Sequence, residues 1–133
     1  MKKQLLLLLL TANLFANEPM LKATPYEEVT KAIGQGKSTL LEVGSDSCHS
    51  CQIMGKLLYK EKQAHPDYNI YFINVKEERE AAFKLKIQMI PTQILLDANG
   101  SEIDRHVGIL EKEDLDAIFE EYFDGNESVK KSI

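Results

Sequence analysis

The sequence contains no tryptophan and only two cysteines in 133 residues. There is one C-x-x-C pair, Cys48 and Cys51, and no second pair, which disfavours a structural zinc site. Attachment of a c-type haem is excluded, because Gln52 stands where that motif requires histidine. A disulfide between the two cysteines would close a very short loop and constrain little of the unfolded chain. A purely structural role for the pair is therefore disfavoured.

Positive charge is also in short supply. The chain has 16 Lys and Arg against 21 Asp and Glu, which gives a formal net charge of −5. Nucleic-acid-binding proteins need basic residues to meet the phosphates, and this sequence has no basic run long enough to provide them. We therefore expect no nucleic-acid partner.

A long apolar run occurs only at the N-terminus, from Leu5 to about Ala16, after lysines at positions 2 and 3. It is too short to cross a bilayer comfortably, and this layout is typical of a bacterial secretory signal peptide that is cleaved after Ala16. An uncleaved membrane anchor is the alternative, because Leu14 is bulky for its place before the cleavage site. We expect a signal peptide over residues 1–16 and a protein that works in the periplasm.

The rest of the chain is predicted to form a single domain. Residues 17–24 should be an N-terminal lead, residues 25–124 the domain, and residues 125–133 a flexible tail. Hydrophobic periodicity and turn residues predict the order α, β, α, β, α, β, β, α, with Thr24 capping the first helix. The predicted strands are Ser38–Val43, Asn69–Val75, Thr92–Leu96 and Glu102–Val107.

The connections between these strands predict how the strands pair. A helix joins the first two strands, which should therefore be parallel, and a tight turn joins the last two, which must be antiparallel. We expect an α/β fold, with a mixed sheet of about four strands and helices on both of its faces.

The cysteine pair lies where the first predicted strand passes into a helix. The thiol of Cys48 would stand at the helix N-terminus, where free backbone N–H groups and the positive end of the helix dipole stabilise a thiolate. Cys51 follows one turn later on the same face and should be more buried. An exposed thiolate that attacks and a sheltered thiol that resolves the mixed disulfide are the two parts of thiol–disulfide exchange.

Further motifs accompany this pair. Ile90-Pro91-Thr92 comes about 40 residues later and leads into the predicted hairpin, which has Asn99-Gly100 at its turn and ends at Val107-Gly108 before a terminal helix. In this order the motifs resemble the thioredoxin superfamily, over roughly Pro25 to Phe123. The resemblance implies a thioredoxin fold and thiol–disulfide oxidoreductase activity.

The resemblance also implies roles for the residues that match the motifs. Cys48 corresponds to the nucleophile and Cys51 to the resolving cysteine. Pro91 corresponds to a cis-proline beside the disulfide, although an ordinary proline at the start of a strand is the alternative. The backbone of Ile90, followed by Thr92 in the same motif, would then bind an extended segment of the substrate.

Glu42, six residues before Cys48, corresponds to the buried acid of the family. In that role it takes the proton from Cys51 during resolution, with a pKa raised by burial. The alternative is a surface glutamate on an edge strand. The apolar residues around Glu42 favour the buried position.

The chain departs from the family pattern around its cysteines. Ser47 stands where an aromatic residue usually precedes the first cysteine, and the middle pair is His49-Ser50. A histidine beside the nucleophile can favour the thiolate and lie against the substrate, but an exposed imidazole without such a role is equally compatible. The residues themselves leave the direction of electron flow open, between reductants near about −270 mV and a strong oxidant near about −120 mV.

The Ile-Pro-Thr version of the proline motif is typical of reducing members of the family, so we expect a periplasmic reductase of client-protein disulfides. Its clients would be oxidised proteins with cysteine pairs, such as apocytochromes c, and a membrane thiol carrier would supply the electrons. We expect a monomer that needs no metal or other cofactor. A disulfide oxidase or isomerase, and a copper(I)-handling chaperone that uses the same thiols, are the alternatives.

Overall fold

The structure is a computed structural model that describes residues 18–124. Its helices and strands follow the predicted order. The helices are α1 (Tyr26–Ala32), α2 (His49–Ala64), α3 (Arg79–Lys84) and α4 (Lys112–Tyr122). The strands are β1 (Thr39–Gly44), β2 (Asn69–Asn74), β3 (Thr92–Leu96) and β4 (Glu102–Val107). The expected signal peptide and tail lie outside the described residues. Within that part of the chain, no helix is long and apolar enough to span a membrane.

The four strands form one mixed sheet in the order β2-β1-β3-β4. β1 and β2 are parallel, and β3 is antiparallel to both β1 and β4. The predicted mixed sheet and both predicted strand directions are therefore confirmed. β1, which leads directly into the cysteine pair, is a central strand with all six residues buried.

Hydrophobic cores lie on both sides of this sheet, because its strands alternate their side chains between two faces. One core packs α2 and α4 against the sheet and includes Leu40, Met54, Leu58, Leu95, Leu115 and Phe119. The other packs α1 and α3 against the opposite face and includes Val29, Leu41, Val43, Ile73, Ala81 and Ile94. Helices thus cover both faces, as predicted.

The start of α1 differs from the prediction. Thr24 does not cap the helix, which begins at Tyr26 with Pro25 in the N-cap position and no hydrogen bond from a capping side chain. The backbone N–H of Thr24 instead donates to the carbonyl of Phe72 at 2.8 Å, so the chain is still extended along β2 at this point. The N–H of Tyr26 is satisfied by Glu78 Oε1 at 3.1 Å, a partner 52 residues away.

The segment before α1 is also tied to α2. The N–H of Leu21 donates to the carbonyl of Gly55 at 2.9 Å. The side chain of Met20 lies directly against Gly55, where a Cβ would come within 2.7 Å of Met20 Cε. A glycine at this point therefore lets the segment approach the helix that carries the cysteine pair.

Candidate active site

Cys48 is the N-cap residue of α2, with extended backbone angles (φ −90°, ψ 124°). Both cysteines are free thiols in the structure. The backbone N–H of Cys51 points at Cys48 Sγ, with the nitrogen 3.4 Å from the sulfur. The first turn of the helix thus offers a donor to the Cys48 sulfur, which is the arrangement that stabilises a thiolate.

The two thiols differ strongly in their environments. Burial works against ionisation of Cys48, but hydrogen bonds from the thiol of Cys51, the hydroxyl of Ser50 and backbone N–H groups outweigh it and lower the pKa of Cys48. Cys51 is fully buried, and this burial, together with its hydrogen bond to Cys48, raises the pKa of Cys51 to about 12. Near neutral pH, Cys48 is therefore the thiol that ionises first.

Ser50 is a residue of this site that the sequence analysis did not assign. Its Oγ lies 3.4 Å from Cys48 Sγ, close enough for the hydroxyl to donate to the sulfur. The signal for it was present, because a hydroxyl within the C-x-x-C turn can reach the first cysteine. His49, in contrast, is exposed, and within residues 18–124 its ring makes no hydrogen bond. The structure therefore shows no contact that links His49 to either thiol.

Glu42 lies on β1 below the cysteine pair and is 0% exposed. It accepts a hydrogen bond from Gln93 Nε2 to Oε2 at 2.9 Å. Burial raises the pKa of Glu42 to about 8; the bond from Gln93 opposes this rise, and the charge of Cys48 adds to it. The alternative of a surface glutamate on an edge strand is wrong, because β1 is central and its side chains are buried.

Gly44 lets the buried thiol and this carboxyl approach the same point. A Cβ on Gly44 would stand 2.8 Å from Cys51 Sγ and 3.7 Å from Glu42 Oε1. Because Gly44 has no side chain, the sulfur of Cys51 packs closely against it, and Oε1 is the carboxyl oxygen that lies on this side. Glu42 Oε1 has no hydrogen-bond partner among the described residues. Nothing in the local sequence around Gly44 marks it for this close packing.

The proline motif lies in the loop before β3. The Ile90–Pro91 peptide is cis, as the resemblance implies, and the carbonyl of Pro91 accepts from the N–H of Gly108 at 2.8 Å. Within residues 18–124, the backbone N–H and carbonyl of Ile90 make no hydrogen bond. Thr92 is buried, and its hydroxyl donates to the carbonyl of Met89 at 2.7 Å. Thr92 therefore holds the loop, while Ile90 keeps a free backbone edge.

Exposed apolar side chains surround this loop. Met89 lies just before the motif, and Val107 and Ile109 flank the Gly108 that is bonded to it; their exposures are 66%, 51% and 40%. Large exposed hydrophobic groups that cluster together indicate an interaction surface. The sequence analysis did not single out Met89 or Ile109, because only the fold brings them to the same loop.

Among the described residues, the site lacks a group of side chains that could hold a metal ion. Within residues 18–124, no three His, Cys, Asp or Glu side chains come together in a group that could hold one. His65 is at the C-terminal end of α2, where its ring stacks on Tyr68 at 4.3 Å. Cys48 is at the opposite end of that 16-residue helix, which is about 24 Å long.

The family described as a thioredoxin-like domain matches residues 25–123 of the chain. The chain belongs to the thioredoxin superfamily. This family includes thiol–disulfide oxidoreductases, and the thioredoxin-like chain has a Cys48–Cys51 pair that is compatible with such activity.

Individual relatives agree with this assignment. The thioredoxin-like chain is 36% identical over 95 residues to the thioredoxin-like protein HCF164, chloroplastic, of Oryza sativa subsp. japonica. That match covers 68% of this chain but only 35% of the rice protein, so the chain spans about a third of that relative. It is also 28% identical over 81 residues to Thioredoxin-1 of Saccharomyces cerevisiae, which covers 61% of this chain and 78% of the yeast protein.

Solved structures show the same fold. The crystal structure of thioredoxin NaTrxh from Nicotiana alata superposes with a TM-score of 0.64 and covers 73% of this chain and 83% of that one. The sequence identity in this comparison is 22%, so it is evidence for the fold alone.

Proposed function

We propose that this chain is an exported thiol–disulfide oxidoreductase that reduces disulfides of client proteins through Cys48 and Cys51. The observation that carries the proposal is the asymmetry of the two thiols. Cys48 is accessible at the start of α2 with a lowered pKa, whereas Cys51 is buried beside it with a pKa of about 12. One thiol is therefore suited to attack and the other to resolve.

The reaction would begin with the thiolate of Cys48, which attacks one sulfur of a client disulfide. The client S–S bond breaks, one client sulfur leaves as a thiolate, and a mixed disulfide forms between the client and Cys48. Cys51 then loses its proton and attacks the sulfur of Cys48, which releases the second client thiolate. Two electrons pass to the client, and Cys48 and Cys51 end as a disulfide.

The proton of Cys51 needs an acceptor, because a thiol with a pKa of about 12 is not ionised near neutral pH. Oε1 of Glu42 and Sγ of Cys51 both lie beside Gly44, so the carboxylate can take that proton. With its pKa raised to about 8, Glu42 is mostly protonated at pH 7, and its basic form increases as the pH rises. Resolution should therefore speed up between pH 6 and 8.

Client binding would use the proline loop. An extended client segment can pair with the free backbone edge of Ile90, and the apolar rim of Met89, Val107 and Ile109 can cover its side chains. Backbone pairing is independent of side-chain identity, so this surface suits a range of unfolded proteins with cysteine pairs. Apocytochromes c fit this description, and a membrane thiol carrier would return the electrons to the exported protein.

The direction of electron flow rests on what surrounds the Cys48 sulfur. Ile90 offers no hydroxyl to a thiolate, and His49 is exposed without a hydrogen bond to either cysteine. Within residues 18–124, the Cys48 thiolate is stabilised only by the hydrogen bonds from Ser50, Cys51 and the backbone of the first turn of α2, so the disulfide should be hard to reduce. This supports a reductase, in which the dithiol gives its electrons away readily.

The test is the redox potential of the Cys48–Cys51 couple, measured against glutathione. We expect a value near or below about −200 mV, and His49→Ala should shift it by no more than about 30 mV. Ser47→Ala, an exposed neighbour on the other side of Cys48, is the matched control. A potential near about −120 mV that falls sharply in His49→Ala would instead make the protein a donor of disulfides.

A further inference from the structure

The buried amide of Gln93 contacts Glu42 but takes no part in the attack or resolution steps proposed for the two thiols. Gln93 and Glu42 are register partners on β3 and β1, and Gln93 is 2% exposed. On the other side of β1, the register partner of Glu42 is Phe72 of β2, which is apolar. Gln93 is therefore the polar side chain that the sheet presents to this buried acid.

The two oxygens of the carboxyl have different neighbours. Oε2 accepts the hydrogen bond from Gln93 Nε2, whereas Oε1 has no partner among the described residues and lies on the side of Gly44 against which Cys51 Sγ packs. In a protonated carboxylic acid, only one oxygen carries the hydrogen. The carbonyl oxygen is the better acceptor of an N–H bond, so the bond from Gln93 favours the hydrogen on the other oxygen.

We propose that Gln93 is a positioning residue that holds Oε2 of Glu42 as an acceptor and thereby keeps the acidic proton on Oε1, the oxygen that faces Cys51. This inference rests on the proposed role of Glu42 in resolution. In that step the proton leaves Cys51 Sγ and binds to Oε1, and the sulfur uses the freed electron pair to attack Cys48. The bond from Gln93 to Oε2 stays in place throughout, so the carboxyl need not rotate.

The other groups around the carboxyl do not supply this orientation. The titratable groups that face it are the thiols of α2, Cys48 and Cys51. His106 of β4 is the register partner of Gln93, but it is exposed and its Nε2 lies 3.1 Å from the carbonyl of Ile109. The residues that α4 buries on this side of the sheet, Leu115 and Phe119, are apolar.

The decisive variant is Gln93→Met, which keeps the length of the side chain and removes the amide. The titration of the Glu42 carboxyl carbon is followed by ¹³C NMR in the reduced full-length protein. Because the amide donates to the charged form, its loss should raise the pKa of Glu42, with the acid dissociation constant at least about tenfold lower. The pH at which a mixed disulfide with a peptide resolves at half its maximal rate should rise in parallel.

Leu95→Met is the matched control. Leu95 lies two residues further along β3 on the same buried face, and the change conserves volume without touching the amide. It should alter neither the titration of Glu42 nor the pH profile of resolution. A general loosening of the core would affect both variants alike, whereas the proposed orientation would be lost only in Gln93→Met.

The direction in which the pKa of Glu42 changes in Gln93→Met decides whether the inference holds. A fall in the pKa of Glu42 in Gln93→Met would show that the acid donates its proton to the amide oxygen, and it would overturn the inference, as would an unchanged pKa. If Gln93→Met does not fold, the Nε2 proton signals of Gln93 in the wild-type protein serve instead. They should shift with the titration of Glu42, and their failure to respond would equally overturn the inference.

Glu42→Gln separates this inference from the proposed function. If resolution is unchanged in Glu42→Gln, the role of the acid itself is wrong. If Glu42→Gln slows resolution while Gln93→Met leaves the titration of Glu42 as it was, only the positioning role of Gln93 fails.

Discussion

At the scale of single residues, the site depends on three ionisable groups whose environments shift their pKa values by different amounts and not all in the same direction. Hydrogen bonds at the helix N-terminus favour the charged form of Cys48, while burial disfavours the charged forms of Cys51 and Glu42. Groups with separated pKa values can take different parts in one reaction, because each holds its proton over a different range of pH.

The first prediction concerns the order of thiol reactivity. A limiting amount of iodoacetamide at neutral pH should label Cys48 of the reduced protein far faster than Cys51, because only Cys48 combines access with a lowered pKa. Peptide mapping by mass spectrometry measures the ratio. Cys51→Ser should trap covalent complexes with client proteins, whereas Cys48→Ser should trap none. Preferential labelling of Cys51 would reverse the two roles.

The second prediction concerns stability and pH. The folded protein holds the proton of Glu42 up to about pH 8, while an exposed carboxyl in the unfolded chain releases it near pH 4.5. Between these values the unfolded state binds fewer protons, so this group makes the free energy of unfolding fall by about 1.4 kcal/mol for each unit of rising pH. Glu42→Gln should remove that slope and be the more stable protein at pH 8.

Urea unfolding of reduced wild type and reduced Glu42→Gln at several pH values between 5 and 8 measures these two slopes. This range lies between the pKa of an exposed glutamate and the raised pKa of Glu42. The exposed Glu113 of α4 provides a control, since Glu113→Gln should follow the wild-type slope. Equal slopes for wild type and Glu42→Gln would mean that the carboxyl is not protonated in the folded state.

At the scale of elements, the loop that carries the proline motif is supported from β4. Arg105 forms a two-pronged ion pair with Glu102, with N···O distances of 2.7 and 2.9 Å, and its Nη1 also donates to the carbonyl of Leu85 at 2.8 Å. That carbonyl belongs to the C-terminal turn of α3, next to Lys86, whose φ is +54°. One side chain thus joins an edge strand to the segment that leads to Ile90 and Pro91.

The third prediction tests that support. Arg105→Lys keeps the positive charge but loses the planar fork, so it should lower the free energy of unfolding by about 1 kcal/mol. Amide hydrogen exchange should become faster in residues 86–90 and stay unchanged in β2. The control is the exposed ion pair of Lys31 and Glu27, whose Nζ and Oε1 atoms are 3.6 Å apart. Lys31→Ala should lower the free energy of unfolding only slightly. If amide exchange in Arg105→Lys becomes faster to the same extent in residues 86–90 and in β2, the local supporting role is wrong.

At the scale of the whole molecule, the four-stranded sheet determines where chemistry can occur. The buried acid lies on β1, the cysteine pair follows where β1 passes into α2, and Thr92 of the proline loop pairs with Val43 near the end of β1. Both faces of the sheet are covered by helices, so the acid is sealed from water while the first thiol is accessible. A metal ion at this place would find the two thiols and no group of three ligands within residues 18–124.

The fourth prediction follows from that arrangement. The reduced protein, loaded with copper(I) and then dialysed against a strong competing chelator, should retain no stoichiometric metal, because two-thiol ligation alone is easily outcompeted. Elemental analysis of the dialysed protein gives the copper content, and the same measurement on Cys51→Ser gives the background copper content. One tightly held copper(I) per chain would favour the chaperone alternative over the reductase.

Much of this protein follows from its sequence alone. The order of the eight elements, the parallel direction of β1 and β2, the antiparallel direction of β3 and β4 and the positions of Cys48 and Cys51 follow from local properties. These are the hydrophobic period, the turn residues and the length of each connection. The cis peptide before Pro91 was foreseen from the family motif that contains it. The loss of Thr24 as a cap was not, because its N–H is bonded to a strand that lies far away in sequence.

Only the tertiary structure decided how the buried acid is held. Gln93 lies 51 residues from Glu42, and their contact exists because β3 pairs with β1 in one particular register. The close packing at Gly44 likewise appears only when α2 folds back over β1 and brings Cys51 against it. A shift of one residue in that register would move Gln93 to the opposite face of the sheet, so no reading of the local sequence could establish the contact.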